Sequence, residues 1–198
     1  MGQVLFTWLG IADLRAASGD SEAALGPIGQ AVLSRPFDRV ILLSDHDSRK
    51  TDSYAKWLRG LSDASVETIK AKLSSPTNFG EIYEHVSNNL KEFRAKNKGK
   101  HDLVFHLSPG TPAMAAVWII VAKTRFPAEL IESSKEAGVR VASIPFDISA
   151  DYIPDLLRRP DEELARLSQG LAPDSPEFAD IIHRCVSMKR LIARARRV

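Results

Sequence analysis

The chain has 198 residues, 44% of them apolar, enough for one α/β domain with a real core and a short appendage. Its single cysteine, Cys185, excludes an internal disulfide framework and a zinc site built on cysteine pairs. The formal charge is +2, but residues 178–198 hold six Arg/Lys against Asp180, so the preceding residues are net acidic and fit a duplex-DNA reader with a broad positive face poorly, while leaving room for a local anion pocket.

The N-terminus runs straight into Val4-Leu5-Phe6, without the basic start and long apolar run of a signal peptide. Phe6 stands where a myristoylation motif needs Ser or Thr. The longest apolar run, Ala113 to Ala122, falls well short of the roughly 20 residues that span a bilayer. A cytoplasmic protein with no membrane partner is expected.

Val4 to Leu9 reads as a buried strand, followed by a Gly/Ala/Ser-rich loop from Gly10 to Leu25. Gly26-Pro27 opens a short helix that Pro36 closes. Arg39 to Leu43 is a second strand. Thr51 is expected to cap a helix whose inner face is Tyr54, Trp57, Leu58 and Leu61. Val66 to Leu73 alternates as a third strand, with Glu67, Ile69, Ala71 and Leu73 as its inner set. Asn78 and Glu81 form a capping-box pattern ahead of a helix that buries Ile82, Val86, Leu90 and Phe93.

Asp102 to Leu107 is a fourth strand. Thr111 to Thr124 is a helix so apolar that it should be buried. Glu129 to Ile131 and Val139 to Phe146 read as short strands. Strands alternating with helices predict a mostly parallel sheet covered on both faces, a Rossmann-like α/β fold. Ligands of such folds bind at the carboxyl ends of the strands. Beyond the sheet, Ile153 to Leu167 reads as an amphipathic helical arm, with Leu156, Leu157 and Leu164 on its apolar side. Gly170 to Glu177 reads as a linker, and Phe178 to Val198 as a basic helical segment of something longer.

The most informative motif is His106-Leu107-Ser108-Pro109-Gly110-Thr111-Pro112-Ala113-Met114, a strand end, a tight turn and a helix start. Free N–H groups at a helix N-terminus attract phosphate. The backbones of Gly110, Thr111, Ala113 and Met114, with the hydroxyls of Ser108 and Thr111, make one candidate cradle. A plain Thr cap with proline in the first turn is the other reading. A nucleophile elbow at Ser108 is disfavoured, because Pro109 has no N–H to donate to an oxyanion. No lysine follows Gly110 as a P-loop requires, and no G-x-G-x-x-G occurs. Asp45-His46-Asp47 suits a solvated loop with helix-capping acids better than a metal site. His106 reads as a hydrogen-bonded core histidine or a strand-end ligand contact. Trp8 reads as a core residue or as a stacking platform for a base.

The stretch Phe146-Asp147-Ile148-Ser149-Ala150-Asp151-Tyr152-Ile153-Pro154-Asp155, together with the Ser108 to Met114 turn, resembles the N-terminal domain of RtcR-type sigma-54-dependent activators, which regulate RNA repair. Ile181 to Lys189 is similar to the entry of their AAA+ module. The resemblance implies a CRISPR-associated Rossmann fold (CARF) over about residues 1–169, then the linker (170–177), then the start of an AAA+ module at 178. In CARF domains the corresponding turn commonly carries a lysine. Here that position is Pro112, while Gly110, Thr111 and Met114 match.

What this implies is a homodimeric regulatory sensor of a nucleotide or RNA end. The ligand would be an oligoadenylate or RNA with a 2′,3′-cyclic phosphate, and its binding would control a downstream ATPase. The expected ligand-binding residues are Thr7, Trp8, Gly10, Ser44, Asp45, Ser108, Gly110, Thr111, Ala113 and Met114. No catalytic residue, metal or cofactor is expected, so the chain itself is expected not to be an enzyme. The rival expectation is a ring nuclease that cleaves a cyclic oligoadenylate. Promoter DNA and sigma-54 RNA polymerase would be met only through domains outside this chain.

Overall fold

Five helices and six strands follow one another in a computed structural model that describes residues 2–97 and 101–145. They are β1 (Gly2–Trp8), α1 (Ile11–Ala17), α2 (Gly26–Ser34), β2 (Arg39–Ser44), α3 (Ser48–Arg59), β3 (Ser65–Lys70), α4 (Phe79–Lys96), β4 (His101–His106), α5 (Pro112–Thr124), β5 (Glu129–Ser134) and β6 (Gly138–Val141). The sheet order is β3-β2-β1-β4-β5-β6. All neighbours are parallel except β6, which pairs antiparallel with β5. This is the expected Rossmann-like fold. The arm, the linker and the basic segment lie outside the described residues.

Successive side chains of a strand point to opposite faces, so a strand covered on both sides reads as a continuous apolar run. In β1, Leu5 joins Ile28, Val40, Leu42, Tyr54 and Leu58 in the core under α2 and α3. Its neighbour Phe6 meets Phe93 of α4 edge-on at 5.3 Å and Phe105 of β4 at 6.1 Å. Phe105 stacks on Trp118 of α5 at 4.6 Å. One helix layer therefore closes over Leu5 and the other over Phe6.

Several expectations need correction. The Gly10–Leu25 segment is not all loop: Ile11–Ala17 is helical, because a buried acid discussed below fixes its first turn. The cap of α3 is Asp47, whose carboxylate accepts from Arg49 N at 2.9 Å. Thr51 is instead buried within the helix, sharing a 2.8 Å hydrogen bond with Ser44. In β3 the alternation does not hold: Val66 is buried, while Glu67 is exposed and paired with Arg39. A strand at the sheet edge is covered by whatever helix lies over it, here α3, so pleat parity alone does not decide burial. Finally, α5 is only half sunk. Met114, Val117, Trp118, Val121 and Ala122 are buried, whereas Ala115, Ala116, Ile119 and Ile120 are half-buried. The Asn78 cap forms as expected, accepting from Glu81 N, but the Glu81 carboxylate turns to Ser74 rather than back to Asn78.

Asp47→Ala removes an acceptor for one of the free N–H groups of α3 and should cost about 1 kcal/mol in chemical denaturation.

Candidate functional site

From β1 the chain moves outward through β2 to β3, and from β4 it moves the opposite way to β5 and β6. The order reverses between β1 and β4, which lie side by side. The loops leaving two such strands diverge and open a crevice at their carboxyl ends. Here those loops are Leu9-Gly10 and Leu107 to Thr111.

They approach closely. The position a Cβ would take on Gly10 is 3.0 Å from Gly110 N and 3.6 Å from Pro109 Cα, so only glycine lets the two backbones meet. Gly110 has φ +89°, and its own missing Cβ would lie 2.6 Å from Met114 Sδ and 3.2 Å from Trp8 Cβ. This left-handed residue turns the chain from β4 into α5 and sits exposed at the crevice.

The hydrogen bonds around the turn decide which donors remain. Thr111 caps α5: its Oγ1 accepts from Met114 N at 3.4 Å and donates to Pro76 O at 2.7 Å. Thr111 N donates to Met114 Sδ at 3.4 Å. The hydroxyl and N–H of Thr111 and the N–H of Met114 are therefore occupied. Among the described residues, the N–H groups of Gly110 and Ala113 make no hydrogen bond. Ser108 Oγ accepts from Ser133 N at 2.6 Å, which leaves its own O–H to donate outward. The turn is thus a Thr cap and still keeps three donors.

Of the expected ligand-binding residues, Ser108, Gly110, Thr111 and Ala113 line the open turn, and Asp45 is half-buried after β2. Gly10 is buried but contributes the backbone approach just described. Four others are sealed in this structure: Thr7, Trp8 and Ser44 are fully buried and Met114 nearly so. Trp8 offers no face to a base, because it is fully buried, with its Cβ 3.2 Å from the Cβ position of Gly110 and its ring tilted toward His85 of α4, 6.0 Å away. Thr7 turns its hydroxyl to Trp8 O. Asp45, His46 and Asp47 part company: His46 Nε2 bonds to Leu9 O at 3.1 Å and Asp47 caps α3.

Asp13 and Ser133, near the crevice, and Lys70, farther along the sheet edge on β3, escaped sequence reasoning in their present role. Asp13 is fully buried, accepting from Ile28 N at 2.8 Å and Gly10 N at 3.3 Å. Loss of solvent outweighs those donors and pushes its carboxyl up to about 7. Ser133 of β5 lies with its Oγ 2.7 Å from His106 Nε2 and 3.3 Å from Pro27 O. Burial depresses His106 to about 3, so it is a neutral core histidine and a weak general base at neutral pH. Lys70 of β3 reaches the carbonyl of His46 at the same edge. Nothing in the stretch around Asp13 marks it as buried. Nothing local marks Ser133.

Among the described residues, no helix is long and apolar enough to cross a membrane. No protein-family model matches the chain, and no curated protein sequence does. Solved structures do. Csm6 of Enterococcus italicus, bound to cyclic hexa-2′-fluoro-hexa-dAMP, superposes with a TM-score of 0.57 at 16% identity. That match covers 99% of this chain and 44% of Csm6, so the chain spans less than half the length of that protein. Can2 from Sulfobacillus thermosulfidooxidans, in complex with cyclic tetra-adenylate, matches at TM-score 0.47 and 14% identity over 96% of this chain and 57% of its own. A type III CRISPR defence DNA nuclease activated by cyclic oligoadenylate matches at TM-score 0.45 and 20% identity over 84% and 23%. The expectation of a chain without enzymatic activity is corrected at this point: a fold shared with Csm6 at 16% identity gives no ground for setting catalysis aside. What the chain shares with Csm6 is its fold, the CARF-type Rossmann architecture.

Proposed function

We propose that the β1/β4 crevice binds a phosphodiester ligand, an oligoadenylate or an RNA end bearing a 2′,3′-cyclic phosphate. Binding would be passed to a downstream AAA+ ATPase in a longer sigma-54-dependent activator. The observation that carries this reading is the turn at the switch point. There Gly110 N–H, Ala113 N–H and the Ser108 hydroxyl stay available beside the exposed N-terminus of α5. Three neutral donors suit a singly charged phosphodiester without the lysine that Pro112 replaces. The ligand bound to Csm6 supports the nucleotide class.

A second reading, cleavage of the ligand, is favoured by Asp13. A carboxyl that titrates near neutrality is matched to acid–base work, provided that Gly10 moves to uncover it. Calorimetry with cyclic tetra-adenylate, cyclic hexa-adenylate and RNA ending in a 2′,3′-cyclic phosphate tests the first reading. Chromatography of the same mixtures tests the second. Binding without product supports sensing, product formation supports cleavage, and no binding to any of the three sinks both.

The half-buried stripe Ala115, Ala116, Ile119 and Ile120 on α5 suits a contact with a second copy. Light scattering should then give about twice 21.8 kDa, and a monomer at high concentration would remove the dimer from this reading.

A further inference from the structure

Asp13 is the only fully buried acid among the described residues, and no basic side chain is bonded to it. Its carboxylate does two jobs. Oδ1 holds Ile28 N in the first turn of α2, where Gly26 presses close: a Cβ there would lie 2.9 Å from Oδ1. Oδ2 holds Gly10 N at the end of β1. The same point beside Gly10 lies 3.1 Å from Asp13 Oδ2 and 3.0 Å from Gly110 N, so the acid and a cradle donor are separated by one missing methyl group.

The groups facing Asp13 do not neutralise it. From α3 comes Tyr54, buried, with a hydroxyl that makes no hydrogen bond and that feels the Asp13 charge. Residues 26–34 of α2 include no charged side chain. On α1 itself, Arg15 is exposed and paired with Asp20 and Glu22. His46, beyond β2, spends Nε2 on Leu9 O. A phosphate docked on Gly110 N–H would therefore bring a second negative charge close to an unneutralised carboxylate in a poorly solvated place. Like charges at such range force one group to take a proton.

We propose that Asp13 is a positioning residue of the cradle and takes up one proton when an anionic ligand occupies it, which makes the site respond to pH. This rests on the phosphodiester-binding reading above. A phosphodiester does not titrate near neutrality, so the pH dependence would belong to the protein. Above pH 7, affinity should fall by up to about tenfold per pH unit.

The test is calorimetry of the full chain with cyclic tetra-adenylate and with RNA ending in a 2′,3′-cyclic phosphate, in buffers of different ionisation enthalpy, at pH 7.5 to 8.5. Proton uptake is expected in the parent chain and in His46→Gln, and is expected to vanish in Asp13→Asn. Uptake that survives Asp13→Asn, or that disappears in His46→Gln, overturns the proposal. Should Asp13→Asn not fold, carbon-detected NMR of the Asp13 carboxyl in the parent chain decides. Its midpoint must lie above the ordinary carboxylate range and rise with ligand; a midpoint unmoved by bound ligand overturns the proposal. Binding without proton uptake sinks this inference alone. No binding to either probe sinks the phosphodiester reading and this inference with it.

Discussion

Gly110→Ala is expected to lower stability by about 2–5 kcal/mol and to abolish whatever binding the crevice supports. Two costs add. A residue with a Cβ held at φ +89° is strained by roughly 1–2 kcal/mol. The new methyl would also lie 2.6 Å from Met114 Sδ and 3.2 Å from Trp8 Cβ, both in buried side chains, and overpacking of that kind costs about 1–3 kcal/mol. Gly19→Ala is the matched control. Gly19 has φ +85°, but nothing lies within 4 Å of its Cβ position, so only the strain should be felt. Chemical denaturation of the two variants separates backbone strain from contact. Equal losses would mean that the turn relaxes and that Trp8 and Met114 do not hold Gly110 in place. Calorimetry with cyclic tetra-adenylate on Gly110→Ala then reads whether the cradle depends on this conformation.

The second large effect is hidden until one of its two halves is removed. Asp13 titrates at about 7 in the folded chain against 3.8 for the free side chain. The folded state holds that proton more tightly, so its contribution is full below pH 4 and is lost as pH rises to about 7, some 4 kcal/mol in all. His106 does the reverse. Burial lowers it from 6.5 to about 3, so the unfolded chain binds the extra proton and stability rises with pH across that window, by a similar amount. Between about pH 4 and 6.5 the two slopes oppose each other at about 1.4 kcal/mol per pH unit each. The parent chain should therefore be nearly flat there. Asp13→Asn should expose a rising profile and His106→Gln a falling one, in denaturation series taken from pH 4 to 7.5. Burial also lowers His85, which adds to the rising side. A parent profile as steep as either variant would show that one of the two groups is solvated.

Much of the sheet was legible because its cause is local. Val4 to Leu9, broken only by Thr7, and Val40 to Leu43 and Leu103 to Phe105 are apolar runs, as strands covered on both faces should be. Thr111-Pro112 carries its own cap and a proline with no N–H to lose, so the start of α5 could be placed from two residues. The sequence by itself thus determined the alternation of strands and helices, the parallel sheet and the turn at Ser108 to Met114. It did not determine which residues of that turn remain open. Thr111 spends its hydroxyl on Pro76 O, 35 residues away, and Ser108 receives Ser133 N from a strand 25 residues on.

The reversal of strand order between β1 and β4 is equally invisible along the chain, since it depends on where β4 inserts. Asp13 shows the same limit from the side of energetics. Beside Leu14 and Arg15 it reads as an ordinary surface acid. Only the packing of α2, which brings Ile28 N to within 2.8 Å, turns it into a buried carboxylate next to the crevice. Patterning fixes which face of an element is apolar, because that follows from its repeat. What a polar atom meets is decided by pieces of chain far apart in sequence, and only the assembled fold brings them together.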